Sequence, residues 1–250
     1  NYTFGNGNYA YRREEGRPMG SFYGYRYKGV YQNKDATYAR DIEGNVMKDI
    51  SGNAIVMRNG SYTVAPGDAI YEDVNHDGVI NQYDIVYLGN SNPRLTGGAG
   101  LNVSYKQFKL SAIFYGRYGQ DVVNATRLNN ESMRGIDNQS TAVLRRWRNE
   151  GDQTDIPRAL YGEGYNTLGS DRFVEDASYL RLKSLSFTYR LPKKAIQRWG
   201  FNNIDVYVTG YNLFTWTKYT GQDPEVKTEN TYARDTATTP VSYTHLRAHE

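Results

Sequence analysis

The stretch at 73–84, DVNHDGVINQYD, has the donors and the spacing of a calcium loop of the EF-hand type. Oxygen-bearing side chains fall at loop positions one, three, five, nine and twelve: Asp73, Asn75, Asp77, Asn81 and Asp84. Gly78 stands at position six, where the backbone must turn sharply. Val79 stands at position seven, where the ligand is a backbone carbonyl and the side chain is free to vary. Calcium is a hard cation that gathers about six to eight oxygens, which alternate residues of a curled loop can supply. Asp84 replaces the usual bidentate Glu and is one methylene shorter, so the loop must close tighter or bind through one oxygen. Turn-forming residues flank the stretch, with Pro66, Gly67 and Asp68 before it and Gly89, Asn90, Asn92 and Pro93 after it, which argues against paired EF-hand helices. The expectation is a structural ion, calcium first and magnesium second. The plainer alternative is a polar turn that binds nothing. His76, at position four, points outward on this reading and is a poor catalytic base.

Other chemistry is sparse. The chain has no cysteine, so neither a disulfide framework nor a thiolate metal site can form. Glu14 with Glu15, or Asp171 with Glu175 and Asp176, could be imagined as glycosidase acids, but nothing sets two carboxylates across a cleft. No phosphate-cradling glycine loop or nucleophile elbow occurs. The chain reads as a non-enzyme. A formal charge of +3 without a long Lys/Arg run gives no nucleic-acid signal. Arg145, Arg146 and Arg148 surround a short helix expected at 141–148, whose other side carries Val143, Leu144 and Trp147; a solvated helix face explains them.

The elements that must position the loop read as β-structure. Tyr numbers 24 against 8 Phe and 3 Trp, so amphipathic rings dominate the aromatic content and suit sheet boundaries. Residues 20–27 form a short aromatic strand, 54–64 a weak strand pair, and Gly44 with Asn45 and Gly52 with Asn53 mark turns. From Gly97 onward long alternation sets in. Leu101, Val103 and Tyr105 share a face; after a tight turn at Lys106 and Gln107, so do Phe108, Leu110, Ala112 and Phe114. Residues 116–176 are polar and irregular. Residues 177–191 then alternate, with Tyr179, Leu185, Phe187 and Tyr189 on one face and Leu180, Leu182, Ser184, Ser186, Thr188 and Arg190 on the other. Pro192 stops that strand, 193–199 make a helical turn ended by Gly200, and 203–214 alternate again, Ile204, Val206 and Val208 against Asp205, Tyr207, Thr209 and Tyr211. Tyr211, Phe214, Trp216 and Tyr219 read as an interfacial aromatic belt. Such runs exceed the ~5–6 residues of a globular strand and meet the ~9–11 of a strand tilted across a bilayer. Pattern alone leaves a transmembrane barrel and a soluble β-sandwich open.

Several strings, in this order, resemble the C-terminal half of SusC/RagA-type TonB-linked outer-membrane proteins of Gram-negative bacteria. They are RPMGSFYGY at 17–25, PGD at 66–68, DVNHDGVI at 73–80, FVEDASYLRLK at 173–183, YRLPKK at 189–194 and NLFTWTKYTGQDPE at 212–225. The resemblance implies an all-β fold: part of a large antiparallel transmembrane β-barrel of about 22 strands with a plugged lumen, here a partial, open wall without the plug and closing strands. It implies import of oligosaccharides or peptides, driven by the TonB–ExbB–ExbD complex through a segment outside this match, with a SusD-like surface lipoprotein as lid. The turns at Lys106 and at 192–200 would be periplasmic, and the acidic loop, 116–176 and the region after Tyr219 extracellular. Residues 1–239 read as this barrel part. Residues 240–250 do not continue the pattern, resemble translated sequencing-adapter read-through, and carry no functional reading. The competing function is a soluble calcium-dependent carbohydrate-binding β-sandwich, with exposed Tyr and Trp stacking on sugars.

Overall fold

The structure, a computed structural model, describes residues 9–10, 15–18 and 20–225, and the backbone of 228–229, 232–235 and 247–248. In chain order its main elements are β1 (Ser21–Gly24), β2 (Tyr27–Val30), β3 (Arg58–Asn59), β4 (Tyr62–Thr63), β5 (Ala69–Tyr71), β6 (Val86–Asn90), β7 (Leu95–Tyr105), β8 (Phe108–Tyr118), β9 (Asp121–Asn124), α1 (Ala125–Asn130), β10 (Val174–Asp176), β11 (Tyr179–Arg190), α2 (Lys193–Ile196) and β12 (Asp205–Thr217). They divide into two compact units. One comprises Asn1–Ser91, Val122–Glu175 and Lys227–Ala237; the other comprises Asn92–Asp121, Asp176–Val226 and Thr238–Glu250. Apart from the backbone at 247–248, the separate reading of 240–250 falls outside the described residues.

The first unit is built on short pairings, β1 with β6, β2 with β5 and β3 with β4. Its core is rich in tyrosine: Tyr25, Tyr31 and Tyr71 pack with Met57, Val64, Ile80, Tyr165 and Leu168. A buried phenol needs a partner for its hydroxyl, and Tyr71 donates to the Tyr165 carbonyl at 3.0 Å. Burial pushes the Tyr25 and Tyr31 phenols up to about 12. Turns form at both glycine–asparagine pairs, each closed by an Asp: the Asn45 amide N–H donates to Asp41 at 2.9 Å and the Asn53 amide N–H to Asp49 at 2.9 Å. Ala39 before the first turn, Met47 between the two and Ile55 after the second join head to tail through backbone bonds of 2.8–2.9 Å.

Residues 141–148 carry the expected short helix over 141–145, though not with the expected faces. Thr141–Arg145 is a 3₁₀ helix capped by Ser140, whose Oγ accepts the Ala142 N–H at 3.2 Å. The tighter winding turns Leu144 out to 64% exposure while Val143 and Trp147 are buried. The Trp147 indole lies over Gly67, which has φ 86 and where any Cβ would overlap the ring. That contact accounts for glycine in the 66–68 turn.

The second unit is one antiparallel sheet in the order β12-β11-β8-β7, with the backbone at 247–248 touching the outer edge of β12. Its strands run 11, 11, 12 and 13 residues, about twice the globular norm. The tight turn is present, with Lys106 at φ 52, and α2 followed by a 3₁₀ turn at Gln197–Trp199 leads to Gly200 as expected. Register gathers Leu101, Val103, Tyr105, Phe108, Leu110, Ala112, Leu185, Phe187, Val206 and Val208 on one face.

One sequence expectation fails on β11. Its register slips between Leu182 and Ser184 against both neighbours, so Leu180 and Leu182 join the apolar face and Tyr179 joins the polar one. An extra residue in a strand reverses its inside–outside parity. The expected aromatic belt narrows for a related reason: Phe214 and Trp216 lie on the apolar face, Tyr211 pairs with Ser184 on the other, and Tyr219 is buried.

Candidate functional site: a two-faced wall and an acidic loop

The sheet's apolar face has no second layer over it among the described residues. Leu101, Val103, Val206, Val208, Phe214 and Trp216 are each about half exposed, between 48% and 59%. This is the opposite of a β-sandwich, whose apolar faces interdigitate. Aromatic rings sit towards both ends of the strands. At one end Phe108 stacks on Phe187 at 5.7 Å and meets the tilted Tyr189 ring at 4.9 Å; at the other Phe214 stacks on Trp216 at 6.1 Å. No helix among the described residues is long and apolar enough to cross a membrane, which says nothing about crossing by strands.

The opposite face is polar and internally bonded. Ser111 donates to Asn102 at 2.7 Å, Thr209 to Ser186 at 2.9 Å, and Arg190 meets both Asp205 oxygens at 2.8 and 2.9 Å. Residues 219–225 fold back onto this face. Asp223 and Glu225 both engage Arg181, Glu225 at 2.9 Å, and Lys183 reaches Glu225 at 2.8 Å. Arg181 also donates to Thr215 at 2.9 Å and is 3% exposed, and Gln120 donates to the Pro224 carbonyl at 2.9 Å. The β11 irregularity serves this cluster. It lets Lys183 and Ser184, neighbours in sequence, both address the polar side, the re-aiming that bulges perform.

The loop at 73–84 curls as its spacing requires. Asp73 accepts the Asp77 N–H at 3.3 Å and the Gly78 N–H at 2.8 Å. Asn75 and Asn81 approach the same Asp77 oxygen at 2.9 and 3.4 Å, and the Val79 carbonyl lies 3.0 Å from the Asn81 amide. Gly78 takes φ 78, and a Cβ there would press on Ala39 at 2.9 Å, so position six is glycine for both conformation and space. His76 is exposed with φ 55, its Nδ1 3.4 Å from the Arg40 carbonyl.

Asp84 behaves differently from the other acids of the loop. It is fully buried and accepts the Val74 N–H at 2.8 Å and the Asn81 N–H at 2.7 Å, capping the 3₁₀ helix Gln82–Asp84. Burial, helped by the Asp73 charge, holds its carboxyl above the usual range against those two N–H bonds. The structure thus brings Asp73, Asn75, Asp77, Val79 and Asn81 together and turns Asp84 towards the backbone. Among the described residues no three acidic or histidine side chains form a metal-holding group.

Sequence reading missed two clusters. The first is Arg181 with Lys183, Asp223 and Glu225. The second is the buried Asp68, which binds Arg158 at 2.7 Å, accepts from Tyr62 at 2.7 Å and from the Ala65 N–H at 2.8 Å, and neighbours Asn166. Neither has a local spacing signature, because the partners lie 42 and 90 residues apart.

No family model matches the chain. It is 34% identical over 216 residues to TonB-dependent receptor P3 of Formosa agariphila, a match covering 86% of this chain and 19% of that receptor. It is 36% identical over 159 residues to TonB-dependent receptor P26 of the same organism, covering 64% of this chain and 16% of the relative. Among solved structures it is similar to the RagAB peptide transporter, with 27% identity and a TM-score of 0.57 over 82% of this chain and 20% of that one. The RagAB peptide importer in its closed-closed state gives 26% identity and a TM-score of 0.58 over 86% of this chain and 22% of that one. The chain therefore spans about a fifth of the length of these relatives, 19% of the P3 receptor.

Proposed function

This chain is part of a SusC/RagA-type TonB-dependent receptor, a β-barrel of the Gram-negative outer membrane, and on that premise we propose that it supplies wall and outer loops to an importer of oligosaccharides or peptides. The observation that carries the reading is the uncovered apolar face of the long sheet. Lipid would cover that face, and the polar face would line the lumen. The relatives are receptors and transporters rather than enzymes. A SusD-like surface lipoprotein would close the mouth, and TonB–ExbB–ExbD would drive plug displacement. The turns at Lys106 and at 192–200 would then face the periplasm, and the loop at 73–84 the outside. The polar wall would line the path of the solute with Ser, Thr and Asn groups, some of which already bond one another. The test is uptake of labelled peptide and oligosaccharide mixtures by cells carrying the full-length gene, with and without an intact TonB system. Uptake that ignores TonB would remove the import mechanism.

For the loop, Asp73, Asn75, Asp77, Asn81 and the Val79 carbonyl would hold a calcium or magnesium ion, with Asp84 bracing the turn or adding an oxygen. The ion would stiffen the loop and do no chemistry. Calcium at about 100 times its Kd should stabilise the full-length protein by about 2.7 kcal/mol, and Asp73→Ala should abolish the gain. Equal melting temperatures in calcium and in chelator would remove the ion.

A further inference from the structure

We propose that Arg117 is a carboxylate-binding residue on the lumen wall, a station for the acidic group of a transported solute; the proposal rests on the import reading above. Register sets Tyr179 opposite Arg117 and Arg181 opposite Tyr115, so two arginines and two tyrosines alternate in a square on the polar face. Each guanidinium lies over a ring, Arg181 over Tyr179 at 5.3 Å and Arg117 over Tyr115 at 6.0 Å.

The two arginines differ in one respect. Arg181 is filled by the carboxylates of Asp223 and Glu225. Arg117 has no ion-pair partner among the described residues; its Nε donates to Tyr115 Oη at 3.3 Å, which leaves the terminal nitrogens of the fork unused. A second observation points the same way. Tyr179, directly across from Arg117, is 5% exposed, and its hydroxyl has no hydrogen-bond partner among the described residues. An unsatisfied buried hydroxyl is costly, and a ligand oxygen would satisfy it once the side chains that cover it shift aside on binding.

Room for a ligand exists alongside. Gly98 and Gly100 leave β7 bare of side chains opposite Tyr115 and Ile113, and an open hollow of about 520 Å³ lies there, bounded also by Ala99, Phe114, Lys183 and Glu225; Arg117 adjoins it through the Tyr115 ring that its guanidinium covers and does not itself line it. A planar guanidinium fork matches a carboxylate through two parallel bonds, and Arg181 shows this wall already taking carboxylates. The solute class is one bearing a carboxylate beside a body that can lie against the Tyr115 ring. A peptide C-terminus and a uronic-acid sugar share that chemistry.

Calorimetric titration of the purified full-length receptor separates the two sources. The probes are a pentapeptide against its C-terminal amide, and trigalacturonic acid against its methyl ester. The free acid of one pair should bind about tenfold tighter than its blocked form, and the responding pair identifies the source. Arg117→Gln should bring that pair to within about twofold, Arg117→Lys should recover part of the preference, and Tyr179→Phe should weaken binding of the acid. Equal binding of acid and blocked forms by the unaltered receptor, or a preference that survives Arg117→Gln with melting unchanged, would overturn the proposal. TonB-dependent uptake without acid preference would sink this site and leave the import reading standing; acid preference without TonB dependence would do the reverse.

Discussion

Arg181→Ala in the full-length receptor is expected to cost about 3–5 kcal/mol, the range for removing one partner of a buried ion pair. The Arg181 side chain is 4% exposed, and its partners Asp223 and Glu225 are 13% and 28% exposed. Truncation leaves two carboxylates held against the wall by the Gln120–Pro224 bond and by burial of Tyr219, with Lys183 the remaining ion-pair partner among the described residues. Arg181→Lys should lose less, because an ammonium can meet one carboxylate but cannot also keep the Thr215 bond. Neutralising all three groups together, as Arg181→Met with Asp223→Asn and Glu225→Gln, should recover much of the loss, since the penalty comes from stranded charge rather than from the missing pair. The readout is the denaturant midpoint of the folded barrel, followed by the electrophoretic shift between folded and unfolded forms. A loss below about 1 kcal/mol would show a cluster solvated like ordinary surface pairs, and residues 219–225 would then not be fixed to the lumen face. The Arg190–Asp205 pair has better two-pronged geometry, yet at 62% and 37% exposure it should contribute little.

How much of this could be read from the chain depends on the distance over which each feature is encoded. The curl of the stretch at 73–84 was legible because its polar side chains repeat at alternate positions. Its glycine is demanded twice, by a positive φ and by Ala39 beneath it, and only the first demand shows in the motif. The faces of β7, β8 and β12 followed from period-two alternation. In β11 the same rule misassigned Leu180, Leu182 and Tyr179, because one irregularity at Lys183 reverses parity and nothing in the residue types marks it. At 141–148 the expected short helix forms over Thr141–Arg145, but its 3₁₀ winding separates Leu144 from Val143 and Trp147, which the apolar spacing had placed on one side. The Arg181 and Asp68 clusters were invisible because each joins segments that only tertiary structure brings together.

The sharpest test of the wall itself uses two neighbouring residues. Leu101 and Asn102 sit in the middle of β7, on opposite faces, Leu101 opposite Ala112 and Asn102 opposite Ser111. Leu101 is 52% exposed, so in a water-soluble protein Leu101→Arg would be close to neutral. In a barrel wall the same change puts a cation at bilayer mid-depth and should cost about 2–4 kcal/mol. Asn102→Arg places the charge in the lumen, forfeits only the Ser111 bond, and should cost less than about 1 kcal/mol. Folding of both full-length variants into vesicles, with denaturant midpoints compared, reads the difference directly. Equal tolerance of the two substitutions would mean that lipid does not cover the Leu101 face. The apolar rows from β7 to β12 would then need another partner, and the assignment of lumen and membrane sides, on which the Arg117 site depends, would fall with it.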